Sequence, residues 1–303
     1  MLGSKDWLML AVIFASMAVG VTLGAFSSLF RPLPMACMMA FLFMSFLSYR
    51  LSNVLRAIGS SWAWILVFLS LKLVLLPIAV FAVFRCLLPR YALGALLLSG
   101  ISTGVVSPFF AELLRGNTPM VLFILIGSSL LVPFTLPPLV KILAGEAMDI
   151  HLGDMIRLLC IIVFIPVVLS EASNRWLPGL VQFVRNRQYG FALALFTLTN
   201  LGVFSKHADF FRQHPAVILE AFAVATALAA VYFVAGILCA IGRPLEDQLA
   251  LPIVFGMMNY VLVIVFSSQF FGPLEPTLAA VYSVPFFVLL VPLRLYGRWS
   301  ERR

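Results

Sequence analysis

The sequence predicts an all-α integral membrane protein of about ten transmembrane helices, arranged as two inverted five-helix repeats with helices 4 and 9 broken. Three observations carry this. The 303 residues are 63% hydrophobic and only 11% charged, far from soluble globular chains, in which apolar content is nearer half. Apolar runs of spanning length, punctuated by Pro, Gly and charge, recur along the whole chain. Helix breakers fall at matching places in the two halves, GISTGVVSP (Gly100–Pro108) in the fourth run and LPIVFGMMN (Leu251–Asn259) in the ninth. Such paired interruptions point to a binding site near the membrane midplane.

Taken in order, the runs cover approximately residues 6–26, 33–50, 60–86, 91–115, 118–143, 153–171, 189–205, 214–241, 247–271 and 275–296. The first follows a lone Lys5 and is longer than a signal-peptide core, so it is expected to remain as a span. The third holds Lys72, the only charge between Ala57 and Phe84. At about 1.5 Å of rise per residue it lies roughly 15 Å from Trp62 and roughly 18 Å from Phe84, too deep in a ~30 Å hydrocarbon layer to snorkel. Its ammonium must meet a cavity, a buried partner or a ligand. Pro77, Pro108 and Pro252 lack the helix N–H and are expected to free the carbonyls of Leu73, Gly104 and Gln248. In lipid, such backbone is tolerated only where it is buried in protein or lines a cavity. Between runs six and seven, Glu171–Gln188 mixes Trp176, Pro178, Arg185 and Arg187 with apolar residues and reads as an interfacial helix plus loop. One domain, 1–303, is expected, its first repeat at about 1–145 and its second at about 150–300.

Five spans per half is an odd number, so a duplicated half re-enters with opposite orientation. Ten spans put both termini on one side. Lys5, Arg50, Arg56, Arg115, Arg175, Arg185, Arg187, Arg243 and the C-terminal arginines, which include Arg302 and Arg303, fall on that side. They outnumber Arg31, Arg85, Arg90, Lys141, Arg157, Lys206 and Arg212 opposite. The positive-inside rule then makes both termini cytoplasmic, in what is expected to be a bacterial plasma membrane. Acidic residues such as Glu146 and Asp149 lie opposite and contribute little. The formal charge of +8 is scattered in ones and twos, which excludes nucleic acid as a partner and suits membrane lipid. Cys37, Cys86, Cys160 and Cys239 show neither disulfide nor metal-ligand spacing, so no metal site is expected. Oligomeric state is left open, with a monomer among the options.

Two segments resemble a known family. Gly100–Leu139 and LALPIVFGMMNYVLVIVFSSQFF (Leu249–Phe271) are similar to spans 4–5 and 9 of the bile acid:sodium symporter (BASS) superfamily, notably through Gly116–Asn117 and the GM-x-N of Gly256–Asn259. With the ten-span count, the resemblance covers nearly the whole chain, which is identified as a divergent member. It implies a panel of five spans and a core of five containing crossed, broken spans 4 and 9, with substrate and cation sites near the crossing. It also implies where sodium ligands would fall. The Ser-Asn pair of span 4 falls on Ser107 and Pro108, the hydroxyls of span 5 on Val121 and Leu125, and the span 9 glutamate and glutamine on Val254 and Met258. The span 3 glutamine, five residues before a proline, falls on Lys72.

A hard cation needs several oxygen ligands, and most of these positions are apolar here. The expected function is therefore a secondary transporter that moves a small organic anion by alternating access without the usual two sodium sites. Lys72 would serve as the substitute cation or gain and lose a proton during transport. Its expected site residues are Lys72, Thr103, Ser107, Asn117, Ser128 and Asn259, with no catalytic residue and no cofactor. Asn117 has a second reading as a helix cap, and Ser128 one as a packing hydroxyl. Two other functions stay open: a sodium-coupled symporter whose cation site has moved, and an intramembrane hydrolase built on a Ser107–Lys72 dyad, which lacks an orienting third group.

Overall fold

The computed structural model describes residues 4–47, 62–145 and 151–300. Arg50, Arg56, Glu146, Asp149, Arg302 and Arg303 lie outside the described residues. Within them the chain is helical apart from turns and one isolated β-bridge. Among the described residues, five helices are long and apolar enough to cross a membrane: Ala63–Leu87, Thr118–Ala144, Leu152–Trp176, Ala216–Ala240 and Leu274–Gly297. Pro34–Leu47 and Tyr260–Phe270 are shorter apolar helices. The chain is an integral membrane protein.

The numbered helices are α1 Ser4–Thr22, α2 Pro34–Leu47, α3 Trp62–Ser70, α4 Leu76–Leu87, α5 Ala92–Gly100, α6 Ser107–Leu113 and α7 Thr118–Ala144. They continue with α8 Leu152–Trp176, α9 Pro178–Asn186, α10 Gln188–Lys206, α11 Ala216–Ala240, α12 Leu245–Gly256, α13 Tyr260–Phe270, α14 Leu274–Val281 and α15 Leu290–Ser300. The interfacial segment expected after the sixth run forms α9, with Val181 and Val184 buried and Leu180 and Phe183 exposed. That split gives one apolar face to protein and another to lipid.

Between α3 and α4 the chain does not stop being helical. Leu71–Leu75 forms a π-turn in which the Leu76 N–H donates to the Leu71 carbonyl. Pro77 has no N–H to offer Leu73, and one wider turn accommodates the mismatch without breaking the span. Lys72 sits inside that turn and is fully buried.

The fourth and ninth runs are broken, as their glycines and prolines predict, yet Pro108 behaves differently from expectation. It lies in the first turn of α6, where a missing N–H costs nothing, and the Gly104 carbonyl accepts from the Ser107 N–H at 3.0 Å. The interruption comes from Ile101–Val106 instead. Pro252 lies inside α12. Gly236 of α11 allows the closest helix approach to it: a Cβ there would stand 2.5 Å from Pro252 Cα and 2.8 Å from the Leu251 carbonyl oxygen. The turn after α6 runs through Arg115 at φ 58, and the Gly116 N–H closes back on the Ala111 carbonyl at 2.8 Å. This is the six-to-one bond of a left-handed helix stop.

Candidate functional site

The two breaks meet and hydrogen-bond to each other. Thr103 and Met258 form an antiparallel bridge. The Gly104 N–H donates to the Met257 carbonyl at 2.5 Å, and the Asn259 N–H donates to the Ser102 carbonyl at 2.9 Å. Backbone groups that leave a helix deep in a membrane need partners, and each break supplies them to the other. Glycine at 104 allows this close approach, since a Cβ would lie 3.1 Å from the carbonyl oxygens of both Met257 and Met258.

Side chains close the remaining valences. Thr103 N–H donates to Ser128 Oγ at 3.1 Å, and Thr103 Oγ1 donates to the Val254 carbonyl at 3.2 Å. Ser128 Oγ and Ser129 Oγ both donate to the Leu125 carbonyl, at 3.1 and 2.8 Å. Asn259 caps α13, its Oδ1 accepting from the Leu262 N–H at 3.3 Å, and its Nδ2 reaches Ser102 Oγ at 3.5 Å. Tyr282 Oη donates to the Gly256 carbonyl at the end of α12 at 2.6 Å.

Lys72 lies against the same bridge. Its Nζ donates to Met258 Sδ at 3.0 Å and stands 5.9 Å from the centre of the Phe255 ring. A thioether is a weak acceptor, and an ammonium has three donors. Among the described residues, no carboxylate pairs with it.

A cavity of about 490 Å³ opens beside the bridge. Gly104, Met258 and Asn259 line it together with aromatic rings including Phe41, Phe110 and Phe196, and with Glu112 and Arg185. Lys72 is not on its wall. Met258 thus belongs both to the cavity lining and to the contact with the ammonium.

Of the six expected site residues, Lys72, Thr103, Ser128 and Asn259 converge on the bridge. Ser107 opens α6, buried, with an Oγ that has no hydrogen-bond partner among the described residues. It makes no hydrogen bond to Lys72, so the dyad of the hydrolase reading is not assembled. Asn117 lies elsewhere. It caps α7, its Oδ1 accepting from the Met120 N–H at 3.1 Å, while its Nδ2 donates to Asp247 Oδ1 at 2.8 Å and its N–H to the Glu246 carbonyl at 3.0 Å. Asn117→Ala is expected to cost about 1 kcal/mol or more, the usual loss for an N-cap, and to leave substrate KM unchanged. Thermal unfolding in detergent and uptake kinetics together check this. Glu220 at the other end of the fold is paired with Arg90 at 3.1 Å and Tyr91 Oη at 3.0 Å. Sequence reasoning missed Ser102, Tyr282 and the cavity's aromatic wall. A serine or tyrosine in an apolar helix carries no mark of its partner.

The family model described as "Sodium Bile acid symporter family" matches residues 7–214. The chain belongs to that family. Its match covers α1 to α10 and stops before α12 and α13. Among curated proteins the chain is 27% identical over 217 residues to a protein of Oryza sativa subsp. japonica named "Probable sodium/metabolite cotransporter BASS1, chloroplastic". That alignment takes in 69% of this chain and 52% of the rice protein, so the chain spans about half the length of the curated relative it matches.

The family name raises sodium, and four of the positions to which the resemblance carries its ligands are apolar. Val121, Leu125, Val254 and Met258 are buried and offer no side-chain oxygen. The hydroxyls of Thr103, Ser128 and Ser129 donate to backbone carbonyls. A hard cation requires several oxygens at once.

Proposed function

We propose that this member of the Sodium Bile acid symporter family is a secondary transporter for a small organic anion, with Lys72 carrying the positive charge at the crossing of the two broken helices. The observation that carries the reading is the fully buried Lys72 ammonium, held by one thioether beside a cavity lined with aromatic rings. An uncompensated charge at that depth is costly and marks a functional site. The start of α13, with Asn259 at its cap, faces the same cavity and adds the positive end of a helix dipole for a carboxylate or sulfonate.

Alternating access calls for two halves that exchange roles, and the helix packing supports ten spans in two inverted repeats. Let spans 1 to 5 exchange with 6 to 10. The packing of α1 on α10 then maps onto that of α8 on α2, and α4 on α5 maps onto α11 on α12. Likewise, α7 against α12 maps onto α14 against α5, and α3 against α7 onto α11 against α14. A duplicated ancestor inserted in both orientations explains such paired contacts, and one half rocking against the other then opens the site to each side in turn. With this count both termini are cytoplasmic by the positive-inside rule.

Uptake of labelled organic carboxylates and sulfonates into proteoliposomes, with sodium replaced by choline, tests the proposal. Uptake that persists in choline is the expected result. Uptake abolished by choline would instead favour a sodium symporter with a relocated cation site.

A further inference from the structure

We propose that Met258 is a displaceable plug between the cavity and Lys72, and that its side chain determines which anions reach the ammonium. The inference rests on the reading of Lys72 as the counter-charge of the substrate. Met258 is one of the residues that line the cavity, itself fully buried, with its Sδ 3.0 Å from Lys72 Nζ. Its backbone cannot leave, because the bridge to Thr103 and the bond from the Gly104 N–H to Met257 hold both sides of the break. The side chain can. Methionine has three rotatable bonds and adapts its shape more readily than any other apolar residue.

The exchange of partners runs downhill. A neutral thioether accepts weakly, whereas a carboxylate or sulfonate accepts strongly and brings a charge opposite to that of the ammonium. An anion in the cavity therefore competes successfully for Lys72 once the thioether swings aside. A solute without an oxygen acceptor gains nothing by displacing it, and a neutral acceptor gains less than an anion. The plug thus gives a kinetic barrier to all comers and the largest thermodynamic reward to anions. It also keeps the ammonium out of contact with water between cycles.

The test uses the full chain in proteoliposomes and two substitutions that act in opposite directions. Acetylation of Lys72 by acetic anhydride is followed by mass spectrometry of the peptide, alongside uptake. If the thioether is swung aside about a tenth of the time, Met258→Ala raises the labelling rate about tenfold by making the open state permanent. Met258→Gln supplies a stronger oxygen acceptor and is expected to label several-fold more slowly than the parent, which keeps the test informative should the alanine variant fold poorly. An added organic anion protects Lys72 in both. Labelling unchanged by either substitution, while Lys72→Met abolishes uptake, overturns the plug and leaves the Lys72 reading standing. Labelling raised in Met258→Ala, with uptake indifferent to Lys72→Met, overturns the Lys72 reading and with it the plug's part in transport.

Discussion

Lys72→Met is expected to reduce anion uptake by about 10²-fold or more, the factor that corresponds to loss of one partner from a desolvated charge pair at 3–5 kcal/mol. The same substitution is expected to leave the folded protein as stable as the parent or more so. These two outcomes have one cause. Lys72 is fully buried, and among the described residues its ammonium meets the Met258 thioether and the Phe255 ring. Such surroundings suit a methionine, whose length and apolarity match the lysine stem, better than an ammonium. A buried charge without an anionic partner is a cost to folding, and replacing it with an apolar group of similar volume is often neutral or stabilising. Selection for stability alone would remove it. Lys72→Gln adds a second comparison. It restores the amide that the family resemblance expects, yet Val121, Leu125 and Val254 still lack side-chain oxygens. Sodium is therefore expected not to rescue it. Uptake in proteoliposomes, measured with sodium and with choline, and thermal unfolding in detergent read out both claims. Wild-type uptake by Lys72→Met would sink the role given to this residue.

The features that were legible in the sequence are those that composition and side-chain type encode. Runs of apolar residues marked the helices, and Gly-rich, Pro-flanked segments marked the two breaks, which the structure puts at Ile101–Val106 and Met257–Asn259. Lys72 was legible as a deep charge because no other charge lies near it in the sequence. The contacts were not legible. The bridge between Thr103 and Met258 is made by backbone groups, which every residue but proline carries, so no side chain announces its register. Pro108 could equally break a helix or begin one, and only the turn at Val106 decides it. Asn117 has the same ambiguity between a ligand and a cap, and the structure shows it capping α7 and bonded to Asp247. The least visible feature was the pairing of Lys72 with Met258. Both stand where the resemblance expects glutamines, and they touch each other. Two departures from one pattern, at positions 186 residues apart, are thus a single change in the chemistry of one contact.

Gly236→Ala is expected to destabilise the protein by about 1–3 kcal/mol, the cost of forcing an added methyl into a packed interface. The surroundings have little freedom to respond. The new Cβ would stand 2.5 Å from Pro252 Cα, 2.8 Å from the Leu251 carbonyl oxygen and 2.9 Å from Pro252 N. All three are backbone atoms, so no rotamer change relieves the clash and α11 must move away from α12. That movement has a second effect. α12 ends at Gly256, one residue before the break, and its position sets where Met257 and Met258 meet Gly104 and Lys72. Uptake is therefore expected to fall along with the melting temperature. Gly153→Ala is the matching control. It lies in the first turn of α8, and an added Cβ meets nothing within 4 Å, so the melting temperature should stay level or rise slightly through reduced freedom of the unfolded chain. Equal melting temperatures for the two variants would refute the close approach of α11 and α12. A stable Gly236→Ala with impaired uptake would mean that the interface yields without unfolding and transmits the shift to the bridge.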